Sequence, residues 1–233
     1  MLGRFTGSAV LVHDGIELVH PWLQGWYGEL TFEAPWAPRL PRVPCEPTDH
    51  ASAGAPKVLQ LSLTEAFYLA FLLPHTPPRL SIEDSCGSSS TPLSEPEAWQ
   101  AFSTAQPRFA HNLAAFRALR QAGWRVRCGL KYGADFALYA AEGRKHATFC
   151  ALVHVPALGD QPGSWLAIQQ HSRVCGQVSK GLLLCTVEST LEESESEPAA
   201  GECSSSACLG RMHVQTLTLS PWWAAKEHGT LSL

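Results

Sequence analysis

Between Phe109 and Val187 the spacing of apolar residues switches repeatedly between helical and alternating, and this constrains the fold more than any other feature of the chain. Phe109, Leu113, Phe116 and Leu119 recur at helical spacing, with Arg117 and Arg120 outside the stripe and Gly123 as a stop. Residues 124–127 and 135–139 alternate as strands do. Residues 146–155 follow after a polar connection at Glu142-Gly143-Arg144, which predicts a strand, a loop and a hairpin. Residues 164–171 fit a helix capped by Ser164, and 181–187 form a fully apolar run suited to a buried central strand. Helices interleaved with strands of both kinds predict a mixed α/β architecture.

The rest of the chain divides around this block. Residues 8–17 read as a short strand pair or a strand and turn, and 35–56 as a Pro-rich surface loop. The most apolar stretch, 58–73, reads as a buried helix. Its capping box lies at Ser62 and Glu65, and its end is forced by Pro74. Residues 74–92 are expected to be a linker, and a second capping box at Ser94 and Glu97 opens a short helix through Phe102. From 188 to 206 the chain carries glutamates and serines without a basic residue, so a disordered acidic insertion is expected over about 188–209. Residues 212–219 alternate as a last strand. The predicted organisation is a small mixed N-terminal domain over 1–105 and a second domain over 106–233.

Charge is unevenly placed. Residues 108–187 hold ten basic and three acidic side chains, whereas both flanks are net acidic. That suits a polyanion-binding domain or a solvated helix face equally well. No stretch reaches the roughly 18 apolar residues of a membrane span, and the N-terminus lacks the pattern of a secretory signal, so an intracellular protein is expected. The eight cysteines are scattered, several within apolar runs, and are expected to be mostly reduced and buried. Cys203, Cys208 and His213 lack a convincing fourth ligand, so no metal site is expected.

Two blocks are more specific. Gly129-Leu130-Lys131-Tyr132-Gly133-Ala134-Asp135-Phe136 leads to Tyr139 and then His146, and Ser172-Arg173-Val174-Cys175-Gly176-Gln177-Val178-Ser179 leads to Lys180. This order resembles the signature of the tRNA-intron endonucleases. Gly25-Trp26-Tyr27-Gly28, residues 61–69 and a C-terminal Val214-Gln215 with Leu219-Ser220-Pro221-Trp222 resemble the eukaryotic subunit of that family that cuts the 5′ splice site. The resemblance implies a catalytic domain with a mixed sheet flanked by helices, precursor tRNA as substrate, and partner subunits in a heterotetramer. It implies no cofactor, and nuclear residence with cytoplasmic residence as the alternative.

The resemblance also assigns roles. Tyr139 would be the general base, His146 the general acid and Lys180 the stabiliser of the charged transition state. Free tyrosine, with a pKa near 10, needs a nearby cation to serve as a base at neutral pH, and Lys180 is the candidate. Taken singly, Tyr139 could pack, His146 could cap a hairpin and Lys180 could be a solvated charge; their joint placement favours catalysis. Lys131 and Asp135 are expected to be structural. Arg173 and Trp222 would stack on a base of the bulged splice site, with Trp223 the alternative to Trp222. The sister subunit that cuts the 3′ splice site, and a non-catalytic subunit of the same complex, are the competing readings.

Overall fold

The computed structural model describes residues 2–12, 27–32, 57–73, 80–84, 91–140, 146–159, 165–189 and 205–219 of the 233-residue chain. The chain divides into two compact units, Met1–Ala98 and Trp99–Leu233. Both are mixed α/β.

In the first unit, strands β1 (Leu2–Phe5), β2 (Val10–Val12), β3 (Glu29–Phe32), β4 (Lys57–Leu61) and β5 (Ser81–Asp84) form one sheet in the order β3-β4-β2-β1-β5. Only the β1–β5 pair is parallel. Val10, Val12, Leu61 and Ile82 are almost fully buried, each contributing about 1.5–3 kcal/mol relative to exposure. Helix α1 (Leu63–Phe67) starts with the expected capping box and continues as a wide π turn over Tyr68–Leu72. Glu65 does more than cap. Its buried carboxylate accepts Ser62 N–H at 2.9 Å, the Ser62 hydroxyl at 2.7 Å and the Gly28 N–H at 3.0 Å, which ties the start of α1 to the chain beside Tyr27. Both N-terminal blocks of the sequence therefore meet in one place.

Two expectations are corrected here. The apolar stretch 58–73 is not one helix: its first four residues belong to β4, and Ser62 separates strand from helix. The periodicity of Val-Leu-Gln-Leu is too short to be distinguished from the helix that follows it. The supposed linker 74–92 contains β5, a strand hidden by its polar sequence because only Ile82 is buried. Its pairing with β1 holds it in place.

Helix α2 (Glu95–Ala105) runs three residues beyond the expected Phe102, and the Glu97 carboxylate accepts both the Ser94 N–H and hydroxyl. In the second unit, Trp99 and Phe102 meet Phe109 edge-on, with centroids 5.3 and 5.6 Å apart. Helix α3 (Phe109–Gln121) ends in a Schellman motif: Trp124 N–H bonds Leu119 O, Gly123 N–H bonds Arg120 O, and Gly123 has φ +87°.

Strands β6 (Arg125–Cys128), β7 (Phe136–Tyr139), β8 (Phe149–His154), β9 (Gly181–Ser189) and β10 (Met212–Leu219) form the second sheet in the order β10-β9-β8-β7-β6. Every pair is antiparallel except β8–β9, which helix α4 (Trp165–Gln177) connects. Phe116 of α3 meets Phe136 on one face, with centroids 5.9 Å apart. On the other face Cys175 of α4 packs with Cys150 and Leu182.

Helix α4 extends six residues past the expected His171; Ser164, its expected cap, lies outside the described residues. The boundaries of the acidic insertion also shift. Strand β9 continues through Ser189, and Ser206–Arg211 forms a short 3-10 turn with Leu209 buried. Among the described residues no helix is long and apolar enough to cross a membrane.

Candidate active site

The block from Gly129 to Phe136 is mostly scaffolding. A Cβ at Gly129 would lie 2.6 Å from Ala134 O and 2.7 Å from the Phe136 backbone, so only glycine allows the chain to fold back so closely. Gly133, at φ +67°, closes the 3-10 turn Leu130–Tyr132. The Asp135 carboxylate accepts the Val153 N–H at 2.7 Å, which braces the turn against β8. Lys131 lies over the Tyr132 ring, its Nζ 4.9 Å from the centroid.

Tyr139 ends β7. Because Phe136 faces α3, the alternation of the strand turns Ala137 and Tyr139 to the opposite face, the one on which Cys150, Leu182 and α4 pack. Lys180 comes to that same face. Its Nζ stands 5.1 Å from the Tyr132 centroid, and Tyr132 packs against the Cys150, Cys175 and Leu182 cluster. Tyr139 and Lys180 occupy the same end of the sheet on strands two places apart, so their Cα atoms are separated by about 10 Å. One phosphodiester and two long side chains can fill such a gap.

The backbone places Lys180 firmly. Lys180 N–H bonds Cys175 O at 2.9 Å and Ser179 N–H bonds Gly176 O at 3.1 Å, a Schellman closure of α4 with Ser179 at φ +54°. Ser179 is the one described non-glycine residue with positive φ. A left-handed serine costs of order 1 kcal/mol, and it stands directly before the candidate lysine. The ammonium then donates to Ala147 O at 3.2 Å and more weakly to Val178 O at 3.5 Å.

Ala147 is the residue after His146. Ala147 is buried while His146 is exposed, and Gly181 N–H bonds Thr148 O at 3.0 Å, so the start of the 146–148 segment is held against 180–181 with the imidazole toward solvent. The structure thus brings Lys180 to the His146 segment and places Tyr139 on the lysine's face. Arg173 is exposed on α4, and no described contact joins it to these three residues. Trp222 and Trp223 lie outside the described residues, as do 141–145.

Two neighbours were not singled out from sequence. Tyr132 supplies the ring that seats the Lys180 ammonium; its place inside the glycine-flanked block was the available signal. Arg125 is the cross-strand partner of Tyr139. Burial holds its guanidinium below the usual arginine range, with repulsion from Arg127 and Arg120 adding to this and attraction to Tyr139 opposing it. Arg125 is thus a second cation on the face of Tyr139, besides Lys180.

The nearby thiols are not candidates for chemistry. Burial pushes Cys150 and Cys185 up to about 12 and also raises Cys175, so all three stay protonated at neutral pH. Among the described cysteines Cys150, Cys175 and Cys185 are buried, as expected of most of them, whereas Cys128 is exposed and Cys208 half-buried. Among the described residues no group of three His, Cys, Asp or Glu side chains could hold a metal ion.

Residues 109–193 match the family described as the tRNA intron endonuclease, catalytic C-terminal domain. Over this stretch the chain is similar to that catalytic domain. It is 34% identical over 184 residues to the tRNA-splicing endonuclease subunit Sen2 of Mus musculus, covering 72% of this chain and 35% of the mouse protein. It is 32% identical over 181 residues to the Gallus gallus protein of the same name, at the same coverage of 72% and 35%. A probable Sen2 subunit of Schizosaccharomyces pombe shares 36% over 85 residues, 35% of this chain and 22% of the yeast protein. The chain spans about a third of the length of its vertebrate relatives.

Proposed function

We propose that this chain is the catalytic subunit of a tRNA-splicing endonuclease and cuts precursor tRNA at the 5′ splice site without a metal ion. The observation that carries the reading is the 3.2 Å bond from Lys180 Nζ to Ala147 O, which holds an ammonium beside the His146 segment on the face shared with Tyr139. In the proposed reaction the ionised Tyr139 oxygen takes the proton of the substrate 2′-hydroxyl, and the 2′-oxygen attacks the adjacent phosphorus. The bond from phosphorus to the 5′-oxygen breaks, and protonated His146 gives its proton to that leaving oxygen. Lys180 offsets the extra negative charge on the non-bridging oxygens in the transition state. A 2′,3′-cyclic phosphate and a 5′-hydroxyl result.

Arg173 and Trp222 would hold the flipped base of the bulged splice site. The substrate would be shared with other subunits in a heterotetramer in the nucleus, with the outermost strand β10 as a docking edge. The test is to map the cut ends of an intron-containing precursor tRNA after incubation with the purified complex. A cut at the 5′ exon–intron junction, lost in Tyr139→Phe, is the expected result; an undiminished cut in that variant refutes the role of Tyr139.

A further inference from the structure

The edge strand β6 carries Arg125 opposite Tyr139 and Arg127 opposite Ala137, so both arginines share the face of the sheet that bears Tyr139. Their Cα atoms are about 6.7 Å apart along the strand, close to the spacing of successive phosphates in an extended RNA strand. Both are half-buried. Arg120, whose guanidinium donates to Trp124 O at 3.0 Å, adds a third positive charge within reach of Arg125. Guanidinium groups fit phosphate in two-pronged fashion, which a lysine cannot reproduce.

Resting on the reading above, we propose that Arg125 and Arg127 hold two consecutive phosphates of the RNA strand flanking the cut, on the β6 side of Tyr139. Lys180 approaches Tyr139 from the β9 side and Arg125 from the β6 side. The substrate backbone then crosses the end of the sheet from β9 toward β6, with the scissile phosphate between Lys180 and Tyr139. The simpler account is that the two charges only guard an edge strand against pairing with another chain. That account predicts no effect on substrate.

The test uses the assembled complex carrying Arg125→Gln, Arg127→Gln or both, with KM, kcat and the salt dependence of precursor binding as readouts. Each single variant is expected to raise KM about tenfold, with kcat nearly unchanged. The double variant should lower the slope of log affinity against log salt by about 1.4, the value for two lost contacts to a single strand. Arg→Lys variants, which keep the charge at the edge, should restore the slope while leaving KM raised, and they preserve the test if the glutamine variants fold poorly. Unchanged KM and slope would leave only edge protection. A fall in kcat with a displaced pH–rate profile would mean that Arg125 acts through Tyr139. Normal cleavage with lost assembly would assign the patch to an acidic surface of another subunit. Each of these three outcomes overturns the proposal. Absence of cleavage by the wild-type complex refutes instead the function on which it rests.

Discussion

His146→Ala is expected to lower single-turnover cleavage of precursor tRNA by about 10²–10⁴-fold, the range for losing one positioned proton donor, while binding of the precursor changes less than about threefold. The two readouts separate because His146 is exposed and makes none of the described hydrogen bonds that hold its segment; those involve Ala147 O, Thr148 O and the Thr148 N–H, which donates to Leu138 O. Removing the imidazole leaves Lys180 seated and the basic face intact. Rapid-quench cleavage and filter binding, run on the same preparation, check the result. Full cleavage activity in the variant would remove His146 from the chemistry, and a parallel loss of binding would make it a contact residue.

Gly181→Ala should have the next largest effect, because Lys180 depends on how its neighbour packs. A Cβ at Gly181 would lie 2.5 and 2.6 Å from Cδ1 and Cε1 of Phe149. That ring cannot simply swing away, since Trp124 meets it edge-on with centroids 5.5 Å apart, and the Gly181 N–H is fixed to Thr148 O. Either the ring or the start of β9 must move, and overpacking of this kind costs about 1–3 kcal/mol. Urea unfolding should show a lower midpoint at unchanged slope, and kcat should fall because Lys180 moves with the strand. In a Phe149→Leu background, where room exists, the added methyl should cost clearly less. Equal cost in both backgrounds would show that the ring is not the obstacle.

Much of this architecture was legible in the sequence where local chemistry decides it. The capping boxes at Ser62 and Ser94, the stripe from Phe109 to Leu119 with its glycine stop, and the apolar run beginning at Gly181 each specify an element without help from the rest of the chain. Strand β5 was not legible, because a strand with one buried side chain has no hydrophobic period and exists through pairing with β1. Strand β4 merged into the helix after it. Helix α4 ran past its expected end because Cys175, an apolar anchor in its last turn, packs against Cys150 and Leu182 far away in sequence.

The site divides in the same way. Tyr139, His146 and Lys180 could be named from their blocks. That Tyr132 seats Lys180, or that Arg125 faces Tyr139, follows only from sheet register and from the turn at Gly129, which no linear pattern encodes. Most of the Gly129–Phe136 block is thereby explained as support: Gly129 lets the backbone close, Asp135 braces β8, and Phe136 faces α3.

The central claim is that the RNA's own 2′-oxygen is the nucleophile and that side chains alone manage the protons. End-group analysis of the products, from reactions run with excess chelator, tests it most directly. The account predicts undiminished cleavage with a 2′,3′-cyclic phosphate on the upstream fragment and a 5′-hydroxyl on the downstream one. A 3′-hydroxyl with a 5′-phosphate, or cleavage abolished by the chelator and restored by a divalent cation, would contradict it.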